Sequence, residues 1–77
     1  MQLGTRWNAG GEPPARLSAD VVATIRQVEA SHLDATPLPR WTLTWLEGRP
    51  VAELDDGATV TIVTTDAAGT PVVRIED

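Results

Sequence analysis

Seventy-seven residues of even composition set the scale of one small domain, 1–77, and a formal charge of −5, from eleven acidic side chains against six arginines, argues against a basic nucleic-acid-binding surface. There is no cysteine, which excludes disulfides, thiolate metal sites and cysteine nucleophiles. A chain this short buries only about 60% of the surface it exposes when unfolded, so its stability rests on one compact core.

The arginines, at positions 6, 16, 26, 40, 49 and 74, are scattered rather than gathered in a stripe, and duplex binding is not expected. Lysine, phenylalanine and tyrosine are absent beside abundant Ala, Val, Thr, Gly and Pro. That is the bias of G- and C-rich codons, and it accounts for the all-arginine choice without a need for guanidinium forks. The stretch MQLGTRWNAGG holds no apolar run of signal-peptide length, and nowhere do about 18 apolar residues follow one another. The expectation is a soluble cytoplasmic protein with no membrane contact.

In chain order, Gln2 to Trp7 places Leu3, Thr5 and Trp7 on one side of a short strand, with Gly4 as its weak point. The glycines and prolines of NAGGEPPAR then break regular structure. From Leu17 the period becomes helical. Ser18 suits an N-cap, Leu17 and Val22 a hydrophobic staple, and Asp20 the first turn. Val21, Val22, Ile25, Val28 and either His32 or Leu33 share a face, with Arg26, Gln27 and Glu29 elsewhere, which predicts one amphipathic helix over Ala19 to His32. The prolines of DATPLPR end it.

The remainder reads as a β-meander: Trp41 to Glu47, a turn at Gly48-Arg49, Pro50 to Leu54, a turn at Asp55-Asp56-Gly57, Ala58 to Thr65, a turn at Asp66-Ala67-Ala68-Gly69, and Pro71 to Glu76. With loops of about two, three and four residues, the alternation puts Trp41, Leu43, Trp45, Ala52, Leu54, Val60, Ile62, Val73 and Ile75 on one apolar face. The predicted fold is α+β, one amphipathic helix packed on one face of a four- or five-stranded antiparallel meander.

The tryptophans read first as core fillers, each able to bury about 200 Å². The alternative is a ligand pocket between helix and sheet, with Trp41 or Trp45 as a wall and Arg40 or Arg49 as an anion anchor. Thr42, Thr44, Thr59 and Thr61 fall on the second sheet face as ordinary strand choices. Leu46, Val51, Val63 and Val72 are also expected there, clustered at one end. Either Leu3 or Trp7 of the N-terminal segment covers them, or another molecule does.

No sequence motif carries chemistry. His32 and Asp34 lack a nucleophile in any known arrangement, and capping or surface placement suits His32. The Asp55-Asp56-Gly57 stretch lacks the ligand spacing of a calcium loop, so no metal or other cofactor is expected. Gly10-Gly11 does not form a phosphate cradle. The reading is a non-enzymatic protein that binds another protein, or a second copy of itself, through the apolar patch or an exposed sheet edge. The alternatives are the small-ligand module described above and an acidic mimic of nucleic acid using Glu47, Glu53, Asp55, Asp56, Glu76 and Asp77.

Overall fold

The computed structural model describes residues 4–34 and 36–76. Its elements run β1 (Thr5–Asn8), α1 (Ala19–Glu29), β2 (Arg40–Leu46), β3 (Arg49–Asp55), β4 (Val60–Thr65) and β5 (Pro71–Glu76). The strands pair antiparallel in sequence order as a five-stranded sheet. The helix packs on one face, so the predicted α+β meander is the observed architecture. Gln2 and Leu3, the expected start of the first strand, lie outside the described residues.

Ser18 caps α1 as its sequence position predicts: its backbone is extended and its side chain accepts from Val21 N at 3.2 Å. The helix ends at Glu29 rather than His32. His32 N turns back to Glu29 O at 2.7 Å. The Ser31 hydroxyl and His32 Nδ1 both lie within hydrogen-bond distance of Val28 O, so side chains serve a carbonyl that another helical turn would have used. The buried stripe is Val21, Ile25 and Glu29. Val22 and Val28 flank it half-buried, and Leu33 is exposed.

The three hairpins set which side chains meet that stripe. The first turn uses Glu47-Gly48, with φ of 53° and 79°, one residue earlier than expected. A loop at Gly48-Arg49 would be closed by Glu47 and Pro50, and Pro50 has no N–H to give. Leu46 pairs with Arg49 instead. This slide shifts the register by two residues and leaves the faces of β2 and β3 as expected.

The second hairpin changes a face. Its loop is Asp56 to Thr59: Asp56 N donates to Thr59 O at 3.2 Å, and Asp56 Oδ1 accepts from Ala58 N and Thr59 N, each at 2.9 Å. One residue more than the expected loop reverses β4, so Thr61, Val63 and Thr65 face the helix while Val60, Ile62 and Thr64 face away. The third loop is also one residue longer, because Asp66 Oδ1 gathers Ala68 N and Thr70 N. This second reversal returns Val73 and Ile75 to the helix side, where they were expected.

The core lies between α1 and the near face of the sheet. Trp41, Leu43, Ala52, Leu54 and Val63 meet Leu17, Val21 and Ile25 there, with Trp7 and Trp45 half-buried against them. The helix lies nearest β4 and then β5, where the residues beneath it are short. The indoles of Trp7, Trp41 and Trp45 fill the space over β1 and β2. Trp7 and Trp41 stack with ring centroids 6.1 Å apart and planes 16° from parallel. Among the described residues, no helix is long and apolar enough to cross a membrane.

Candidate interaction surface

A meander ends in two free strand edges, and these differ. At β1, Ala9 N donates to Pro39 O at 3.0 Å, continuing the ladder with β2. The phase of that bond makes Thr5 and Trp7 pair inward and leaves the backbone groups of Arg6 and Asn8 pointing out. Asn8 O is taken by Gly11 N at 2.8 Å, and Arg6 brings a charge, so this edge is guarded.

The β5 edge carries Pro71, Arg74 and Glu76, but among the described residues no turn takes up its outward backbone groups as Gly11 does for Asn8. Asp66 N donates to Thr70 O at 3.0 Å, and with Thr65 opposite Pro71 the ladder assigns Val72, Arg74 and Glu76 to inward pairing. Val73 and Ile75 direct N–H and C=O away from the sheet. Pro71 also faces outward, where an edge strand tolerates its missing donor. On the helix side of this edge Val73 is 45% exposed and Ile75 68% exposed, although α1 lies close to β5. On the opposite side Val72 is 37% exposed.

Among the described residues no helix or strand packs on the sheet face turned away from α1, and Ile62 at its middle is nonetheless only 3% exposed, enclosed by its neighbours in the sheet. The register aligns Arg6, Thr42, Glu53, Ile62 and Arg74 across the middle of that face, and beyond them pairs Thr44 with Val51 and Thr64 with Val72. Leu46, 65% exposed, stands at the end of β2. The Thr64 hydroxyl donates to Pro50 O at 2.8 Å, tying β4 to β3 beyond Ala52 and Val63, the last pair of their ladder. Of the expected patch, Leu46, Val51 and Val72 are on this face. Val63 is not: the reversal of β4 places it in the core, 0% exposed. Thr42 and Thr44 take the expected face, Thr61 is buried on the other, and Thr59 sits in a loop. Trp7 lies on the helix side and does not cover the patch, and Leu3 lies outside the described residues.

The expected ligand pocket is not assembled. Trp41 is fully buried and cannot form a wall, and the register puts Arg40 and Arg49 on the opposite sheet face from both tryptophans. Arg40 instead lines a shallow cleft of about 610 Å³ with Arg6, Leu38 and Asp55. Trp45 does border space, with Arg16 as its cationic neighbour, the guanidinium carbon lying 4.8 Å from the ring centroid. Clefts of about 330 and 260 Å³ lie on either side of this pair.

The acidic residues are not gathered either. Glu53, Asp55 and Glu76 share the uncovered face with Arg6, Arg40, Arg49 and Arg74, Glu47 and Asp56 lie in turns, and Asp77 is outside the described residues.

Two polar clusters lie at the C-terminal end of α1. Glu29, only 2% exposed, accepts from Trp41 Nε1 at 2.7 Å and from Arg26 at 3.1 Å, and Arg26 also donates to Gly11 O at 3.0 Å. Its position, four residues after Ile25 and eight after Val21, was the signal that it belongs to the buried stripe. His32 Nε2 lies 3.4 Å from Asp56 Oδ2, tying the end of α1 to the β3–β4 loop. The backbone N–H groups of Thr59 and Ala58, with His32 contributing less, hold the Asp56 carboxyl below its ordinary pKa. Among the described residues, no group of three or more His, Cys, Asp or Glu is placed to hold a metal ion. Comparisons with protein families, curated proteins and solved structures find no match to this chain.

Proposed function

We propose that the protein is a polypeptide-binding module that works by strand addition at β5. The observation that carries this is the combination on one edge of outward backbone groups at Val73 and Ile75 with exposed apolar side chains at the same two residues. An extended peptide pairing there gains main-chain hydrogen bonds and shelters the valine and isoleucine. The role is a non-enzymatic one, since strand addition uses the backbone and needs no reacting group. A cytoplasmic setting belongs to the same proposal, supported by a sequence with no cysteine for disulfides.

Selection of displayed peptides on the purified protein tests the reading. Alternating apolar peptides are expected to be enriched, and Ile75→Pro, which removes one outward donor without touching the ladder to β4, is expected to abolish their binding. No enrichment, or binders indifferent to Ile75→Pro, would overturn it.

A small-ligand reading has one observation in its favour, the Arg16–Trp45 pair between two clefts. It would be supported by quenching of tryptophan emission by a small anion that Arg16→Ala removes, and discarded if no such quenching occurs.

A further inference from the structure

Resting on the edge-strand reading of β5, we infer that the occupant of that edge is a second copy of this chain, joined through an antiparallel β5–β5 pair with Val73 opposite its own symmetry mate. The strand is its own complement in this register. The N–H and C=O of Val73 meet those of the other Val73, and Ile75 N meets the carbonyl of the other Pro71, in both directions across a two-fold axis. Pro71 has no donor to strand, so its imide nitrogen costs the pair nothing, and only the Ile75 carbonyl is left to water. On the helix side every residue that meets across the axis is apolar, Val73 with Val73 and Ile75 with Pro71.

The competing register, shifted by one residue in each copy, places Arg74 directly opposite Arg74 in a close pair. Like charges there are destabilising, which selects the first arrangement. In it, Arg74 faces Val72 of the other copy and no like charges stand directly opposite. Because the axis runs through the sheet, the two five-stranded sheets become one. Both helices lie on the same side, flanking a trough floored by Val73 and Ile75 of each copy. The guarded β1 edges remain at the outer ends, so the pairing closes at two copies instead of propagating.

The contact is small and belongs with weak, concentration-dependent interfaces. Sedimentation over a wide range of protein concentration is expected to show a reversible monomer–dimer equilibrium. Val73→Lys and Val73→Glu should each be monomeric, because the register puts like charge against like charge, and an equimolar mixture of the two should dimerise again. Since the chain has no other cysteine, Val73→Cys offers a second readout that keeps the side chain small. It should form a disulfide-linked dimer at least about tenfold faster than the more exposed Ile75→Cys, because pairing raises the effective thiol concentration only at the two-fold position.

A wild type that sediments as a monomer throughout, a mixture that fails to associate although both variants keep wild-type far-ultraviolet circular dichroism, or faster crosslinking through Ile75→Cys would each overturn the inference. If the chain is monomeric yet binds peptides in the manner that Ile75→Pro abolishes, the edge reading stands and the second copy is excluded. If neither occurs, both fail.

Discussion

Trp41 donates its indole N–H to Glu29, 2.7 Å away, and both side chains are almost completely buried. The bond joins β2 to the last turn of α1 across the core, and the exposed Arg26 side chain holds the other carboxylate oxygen from the rim. Removing the acceptor leaves a buried donor unpaired, a larger penalty than the net gain from an ordinary hydrogen bond. Glu29→Ala is therefore expected to lower unfolding free energy by about 2 to 3 kcal/mol, while Glu29→Gln, which keeps an acceptor, costs about 1 kcal/mol. Urea denaturation of the two variants checks this, and equal effects would mean that the bond contributes little.

The three indoles are not equivalent. Trp41 is fully enclosed, so Trp41→Ala should cost about 3 to 5 kcal/mol, enough to unfold a domain of this size. Trp45 is half-buried under Arg16, and Trp45→Ala should cost distinctly less. Arg16→Ala removes the cation from its face and is expected to cost about 0.5 to 1 kcal/mol. A denaturation midpoint lower for Trp45→Ala than for Trp41→Ala would reverse this ranking of the core.

What could be read in the sequence was whatever depends on local pattern. The Ser18 cap, the position of α1 and the alternation of β2 each need only a few neighbouring residues. The site was harder, because loop length decides faces at a distance: one extra residue closed by Asp56 moved Val63 from a surface patch into the core. A second extra residue at Asp66 reversed the effect for β5, so Val73 and Ile75 were placed correctly through two compensating differences. Their exposure was not legible at all, since it depends on where the helix axis crosses the sheet. The separation of Arg40 from Trp41 was available in plain alternation, and the missing donor of Pro50 already argued against a turn at Gly48-Arg49.

The face assignment yields a sharp contrast between two valines nine residues apart. Val63→Glu places an unpaired carboxylate under α1 and should destabilise by several kcal/mol or prevent folding. Val72→Glu puts the same charge on the uncovered face, where surface substitutions usually stay within about 0.5 kcal/mol. Thermal unfolding followed by circular dichroism separates them. A tolerated Val63→Glu would show that β4 presents the other face to the helix.

The loop that reversed β4 is held by a carboxylate, and this gives it a pH dependence. Asp56 accepts from the backbone N–H groups of Thr59 and Ala58 and lies beside His32, and these contacts lower its carboxyl pKa in the folded protein. A group with a depressed folded pKa adds stability that is fully present above its unfolded value, about 3.8 for Asp56, and is lost as pH falls through the folded value. Asp56→Asn keeps a side-chain oxygen that can accept from the same N–H groups but carries no charge. At neutral pH the wild type should therefore be the more stable of the two, and the gap should close as the solution is acidified through and below that range. Unfolding midpoints of both proteins, measured together with the pH titration of the Asp56 carboxyl by NMR, test the assignment. A gap that stays constant with pH would show that the loop is held by neutral hydrogen bonding and that the charge on Asp56 does not contribute.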